Sequence, residues 1–198
     1  MDIDTFWRLV EDSLRHSPGR RGREAFLRDR LASLPLADVV QFQVYLDKAC
    51  QSAYTWDLWG AAVRIFGGWC SDDGFVYFRL WLVGRGRDVF ERAVAQPDAL
   101  AEFPEIRRLV GRHCRTWNSD EEWPEWESLD YLASEAYGRA TGDDDECAEG
   151  FYDAMKAQLS GEVFSRDPAG ERWDARDETV AALKVPTLMR MFGLDTLR

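Results

Sequence analysis

Histidine is almost missing from this chain. Two are present in 198 residues, His16 and His113, so a nucleophile-base couple or an imidazole metal centre has only these two positions to draw on. Each falls at the end of a predicted helix, where a cation complements the helix dipole. His113-Cys114 is a single adjacent pair with no second pair at ligand spacing, and neither a metal nor a cofactor is expected. The four cysteines, Cys50, Cys70, Cys114 and Cys147, include no CxxC and no close pairing, which suits reduced, buried thiols. No run of about 18 apolar residues occurs, and no charged segment leads into an apolar one at the start, so the expectation is a cytoplasmic protein without membrane association. Gly/Ser-rich and Pro-rich linkers are also absent, and a single domain over 1–198 is expected.

What is present points to a sizeable core. Hydrophobic residues make up 45% and aromatic residues 13%, with nine Trp, too much apolar surface for a disordered chain. The net charge of -11 is unevenly placed. Residues 1–118 carry 17 basic and 16 acidic side chains, residues 119–178 carry 5 and 19, and the remainder 3 and 1. An acidic field of this kind repels phosphate backbones, which argues against nucleic acid and for a basic protein or peptide, a small molecule, or plain solubility.

Helical periodicity runs through the chain. The stretch Trp56 to Ala95 organises it: Phe75 to Val83 is apolar or aromatic at every position except Arg79, so a helix there is hydrophobic all round and belongs inside. Ser71 reads as its N-cap, with Asp72 and Asp73 in the first turn where carboxylates favour the dipole. Amphipathic helices precede it, carrying Ile3, Phe6/Trp7, Val10 and Leu14, then Phe26/Leu27, Leu31 and Leu34, then Val39, Phe42, Leu46 and Ala49. The RRGRE segment before the second reads as a basic loop. Trp117 to Trp126 reads as a loop laying rings on the core, Asp143 to Glu146 as an acidic turn, and Ser165 to Trp173 as a loop or short extended piece. Helices are expected over Glu105 to about His113, Cys147 to Leu159, Ala175 to Lys184 and Pro186 to Phe192. The fold class is therefore all-α, one compact helical domain around a buried central helix at about residues 72–84.

Several segments carry a family resemblance. They are Phe6-Trp7, WDLWGAA (Trp56 to Ala62), GGWCSDDGFVYFRLWL (Gly67 to Leu82), GRDVFERA (Gly86 to Ala93) followed by QPDAL, SEAYGRATG (Ser134 to Gly142) and GERWD (Gly170 to Asp174). Together they resemble a bacterial family, common in actinomycetes, known only as a domain of unknown function. The resemblance implies no established activity, and some members of that family sit near or are fused to regulatory modules. It directs attention to Trp56, Trp59, Ser71, Asp72, Asp73, Arg79, Trp81, Gly86 and Arg87.

The ligand-binding candidates are Asp72, Asp73, Arg79, Trp56, Trp59, Arg87, Glu171 and Trp173. Arg79 must be paired, because an uncompensated buried charge costs several kcal/mol; either it meets a carboxylate such as Asp57 or one from the acidic half, or it lines a carboxylate- or phosphate-binding pocket. Adjacent Asp72 and Asp73 point about 100° apart on a helix and suit capping better than acid-base work. Cys70 lies at a helix start, but the two aspartates beside it oppose a lowered thiol pKa. Gly84-Arg85-Gly86-Arg87 is either an interhelical turn or a phosphate cradle. The tryptophans, Trp69, Trp123 and Trp173 among them, either fill the core or line a ligand slot. Two functional classes follow: a non-enzymatic binding or regulatory domain with an acidic, Trp-rich surface, or an enzyme with a pocket around Asp72, Asp73 and Arg79.

Overall fold

The computed structural model describes residues 1–117, 121–142, 148–159, 161 and 164–194, and among them every regular element is helical. Asp2 starts α1 (Ile3–His16) by accepting from the Thr5 backbone N–H at 2.7 Å. Next come α2 (Arg20–Ala32) and α3 (Leu36–Ser52), the latter entered through Pro35. Thr55 caps α4 (Trp56–Ile65) by accepting from Leu58 N at 3.1 Å, and Ser71 caps α5 (Asp72–Val83) by accepting from Gly74 N at 3.0 Å. Both are the side-chain oxygen solution to the orphan donors of a first turn.

The central helix is α5. Phe75, Phe78 and all of Arg79 to Val83 are buried, enclosed by α3, α4, α6 (Arg87–Ala95) and the 3-10 turn Glu127–Tyr131. The chain continues through the 3-10 turn Pro97–Glu102, α7 (Pro104–Arg107), α8 (Leu132–Thr141), α9 (Glu149–Leu159), α10 (Glu178–Lys184) and α11 (Pro186–Met191). Asp98 serves α11 from a distance, its carboxylate accepting from Thr187 N and Leu188 N at 2.9 Å. Trp117 and Trp126 are buried, as rings laid on a core.

Several expectations are corrected. RRGRE is not a loop: α2 begins at Arg20, and Arg23 is buried, donating from Nη2 to the Gly84 carbonyl at 2.5 Å and from Nε to Ser13 at 3.1 Å, with its guanidinium 4.3 Å from the Trp126 ring. An arginine that delivers its N–H groups to a helix end and its flat face to an indole counts as a core residue. The helix expected over Glu105 to His113 stops at Arg107 and turns through Gly111, whose φ of 73° suits glycine. The helix expected from Ala175 starts at Glu178, because Asp177 accepts from Thr179 N at 2.8 Å. The one expected from Cys147 starts at Glu149; Asp143 to Cys147 lie outside the described residues.

Candidate functional site

The segment before α10 lies against α4. Trp56 N donates to the Ala169 carbonyl at 3.0 Å and Ala169 N to the Tyr54 carbonyl at 2.8 Å, an isolated parallel bridge. This brings Trp173 onto Gly60. A Cβ at Gly60 would stand 2.2 Å from the indole, so only glycine admits the ring, whose N–H donates to Asp57 at 2.9 Å. Between α4 and this segment opens a hollow of about 830 Å³ lined by Trp56, Trp59, Asp72, Arg166, Arg172 and Trp173, among others. Its wall is a ladder of flat groups. Arg172 lies 4.9 Å over Trp56, Trp56 stacks on Trp59 at 5.4 Å and 7°, and Trp59 stacks on Phe75 at 4.9 Å and 13°. Trp59 is further fixed by donating to the Cys70 carbonyl at 3.2 Å.

That hollow continues into two more. A second, of about 390 Å³, shares Trp69 and Cys70 with the first and adds Ser71, His113, Trp123 and Glu125. A third, of about 870 Å³, shares Trp123 and Glu125 with the second and reaches Arg20, Tyr77 and Glu127. The three form a trough past the N-terminal end of α5. At the first junction stands Trp69, 67% exposed. Beside it are Asp72 and Glu125, neither of which makes a hydrogen bond or ion pair among the described residues. Burial raises the Glu125 carboxyl above the ordinary range.

Burial and the nearby carboxylates of Glu125 and Asp72 push the Cys70 thiol up to about 12, the opposite of an activated nucleophile. His113 has its Nδ1 accepting from Arg115 N at 3.1 Å, which occupies the lone pair a base would use. No group of three or more His, Cys, Asp or Glu able to hold a metal occurs among the described residues.

Four of the eight candidates meet in the trough: Trp56, Trp59, Asp72 and Trp173. Asp73 is exposed in the first turn of α5, and Glu171 is exposed outside the lining. Arg87 bridges helices, pairing with Asp4 at 2.9 Å and Glu91 at 2.7 Å, while its backbone N–H donates to Glu11 at 3.2 Å. The Gly84 to Arg87 turn thus presents its N–H to a carboxylate of α1, and Arg85 pairs with Glu105. Arg79 is the main correction. Among the described residues it makes no hydrogen bond or ion pair to a carboxylate: Asp57 is taken by Trp173 and by Lys184 at 3.0 Å, and Asp130, from the acidic half, acts on it only through its charge. Arg79 Nη1 instead donates to the Cys50 carbonyl at 2.9 Å, and Nε to Phe75 O at 3.3 Å, with the Tyr54 ring 4.5 Å away. Cys50 is in the last turn of α3, where carbonyls lack helical partners and the dipole is negative. Glu125, Arg166 and Arg172 were not legible as site residues, because only the fold brings their separate segments to α4 and α5.

The fold and site define a class, an all-helical domain with an aromatic trough at the start of its central helix. The chain belongs to the family described as a protein of unknown function, DUF4240, whose model matches residues 1–139. No curated protein and no solved structure matches the chain. The matched residues supply most of the trough, and the wall bearing Arg166, Arg172 and Trp173 comes from beyond them.

Proposed function

We propose that this chain is a non-enzymatic binding domain whose trough takes a segment of a partner protein bearing a cationic side chain. The observation that carries this reading is Trp69, two-thirds exposed where two hollows join, with Asp72 and Glu125 beside it and uncommitted among the described residues. An indole face flanked by free carboxylates suits a guanidinium or ammonium: the cation-π contact contributes about 0.5–2 kcal/mol, and the carboxylates add charge-assisted hydrogen bonds. The acidity of residues 119–178 draws such a partner in at long range. An enzyme built on Asp72, Asp73 and Arg79 is less well supported, because Arg79 spends its donors on backbone carbonyls and only Asp72 of the three lines the trough.

The test is a titration of the full chain with an Arg/Lys-rich peptide and with its Glu-substituted counterpart, followed by tryptophan fluorescence and calorimetry. The basic peptide is expected to bind, more weakly as salt rises. Trp69→Ala should weaken it by about 2 kcal/mol, the scale of a central aromatic anchor. Equal binding of the acidic peptide, or affinity indifferent to Trp69→Ala, rejects the reading.

A further inference from the structure

The first hollow of the trough gathers charge of the sign opposite to that beside Trp69. Residues 119–178 carry 5 basic side chains against 19 acidic ones, and three of the basic ones, Arg166, Arg172 and Arg176, line this one hollow. The segment that bears them is pinned along its length. The Tyr54 hydroxyl donates to the Arg166 carbonyl at 3.4 Å, Pro168 is buried, Ala169 is bridged to Tyr54 and Trp56, and Trp173 fills the space over Gly60. The arginines are carried on fixed backbone.

Their donors are largely unspent. Arg166 and Arg172 make no side-chain hydrogen bond or ion pair among the described residues, and Arg176 commits only its Nε, to the Gly68 carbonyl at 2.9 Å. Asp72, Asp167 and Asp174 share the lining, yet none of them pairs with a guanidinium there; Asp174 accepts instead from the Arg176 backbone N–H at 2.9 Å. Arg172 is also held flat, 4.9 Å over a Trp56 ring that is itself stacked on Trp59. A guanidinium resting on an indole keeps its in-plane fork of N–H groups for an oxyanion, and less freedom is lost when one binds.

We propose that the first hollow is an oxyanion subsite, in which Arg166, Arg172 and Arg176 take one phosphate or carboxylate group of the partner segment. The inference rests on the binding reading above and deepens it: the segment bears an anionic side chain for this hollow as well as a cationic one for Trp69. The hollow's 830 Å³ falls within the roughly 300–1,000 Å³ of small-ligand pockets. Forked arginine contacts to phosphate or carboxylate are about twice as strong as neutral hydrogen bonds, and a phosphate monoester, with a charge near −2, matches three guanidiniums better than a carboxylate does. In sequence the three arginines are scattered through an acidic stretch; only the bridge at Ala169 and the seat of Trp173 set them around one hollow.

The experiment titrates the full chain, in phosphate-free buffer, with three end-capped and otherwise uncharged peptides bearing phosphoserine, glutamate or serine at one position, followed by tryptophan fluorescence and calorimetry. A single oxyanion is used because a net charge of -11 repels a polyanion. The phosphoserine peptide is expected to bind at least about tenfold more tightly than the serine peptide, with glutamate between them; the reverse order of the two anions upholds the subsite and makes its ligand a carboxylate. Arg166→Ala and Arg172→Ala should each weaken the phosphoserine peptide about tenfold, and Arg172→Lys, which keeps the charge but loses the fork, should fall between Ala and the parent. Glu125→Gln, outside this hollow, should leave that affinity within about twofold, the size of a screened general charge effect. Phosphoserine and serine peptides that bind alike overturn the proposal, as do Arg166→Ala and Arg172→Ala variants that bind like the parent, or a change in Glu125→Gln as large as theirs. These peptides carry no cation, so the two readings fail separately: basic-peptide binding that depends on Trp69 survives a failure here, and oxyanion binding survives a failure there.

Discussion

Asp47 shows how one buried side chain sets the pH response of its surroundings. Burial pushes its carboxyl up to about 7; the hydrogen bond from Gln43 opposes that, and the charge of Asp130 adds to it. Cys50 on α3 and Tyr152 from α9 are further titratable neighbours, and Arg79 from α5 acts on Asp130. A folded-state value above the unfolded one of 3.8 means that between about pH 4 and 7 the folded state holds the proton and the unfolded state does not. Stability therefore falls as pH rises through that window and levels off above it. Urea unfolding across that range should show the decline in the parent and a flatter profile in Asp47→Asn. Parallel profiles would place the cost of burial elsewhere.

At the scale of elements, the contact between α4 and residues 164–176 turns on one missing methyl group. Gly60→Ala gains about 1 kcal/mol of helix propensity, but its Cβ must occupy space the Trp173 ring holds, at 2.2 Å. Overpacking of this kind costs typically 1–3 kcal/mol. The expected outcome is a helix α4 left intact and a segment 164–176 that lifts away, read as faster hydrogen exchange and proteolysis confined to that segment. Unchanged exchange there would mean that the bridge at Ala169 holds it without Trp173. Which elements were legible in advance follows the same physics. Helices α1, α3, α4 and α5 carry regular apolar spacing and Asp, Thr or Ser caps or first-turn acids, so composition and cap agree. The start of α2 was hidden because RRGRE has no apolar residue: its buried member is Arg23, whose place depends on Gly84 and Trp126, far along the chain. Arg79 was legible as buried and satisfied; that its partner is the end of α3 was not, because backbone carbonyls leave no mark in side-chain patterns. Half the candidate site was legible through the tryptophans. The carboxylate and arginine partners in the trough arise only from contacts between distant segments.

For the molecule as a whole, the family match ends at residue 139 but the hydrophobic cluster does not. Phe151, Met155, Ala181, Val185, Leu188 and Phe192 pack into the same buried cluster as Phe6, Phe42 and Phe78. Arg64, fully buried on α4, has as its carboxylate partner Glu178 at 2.6 Å, while its Nε and Nη2 have no hydrogen-bond partner among the described residues. Removing one member of a buried ion pair typically costs 3–5 kcal/mol, because the other is left uncompensated; here the partly exposed Glu178 puts the loss toward the lower end. A chain ending at Gly142 would leave Arg64 without that carboxylate and uncover the apolar side chains that α9, α10 and α11 now meet. The expectation is that the full chain unfolds in one transition, with circular dichroism and tryptophan fluorescence coinciding. The shortened chain should melt without a cooperative transition and expose apolar surface to a hydrophobic dye. Glu178→Gln separates charge from coverage: it should lower stability measurably while keeping a single transition. Two resolved transitions in the full chain, or a cooperative 1–142 fragment, would mean that the helices beyond the family match are an attachment to a self-sufficient domain.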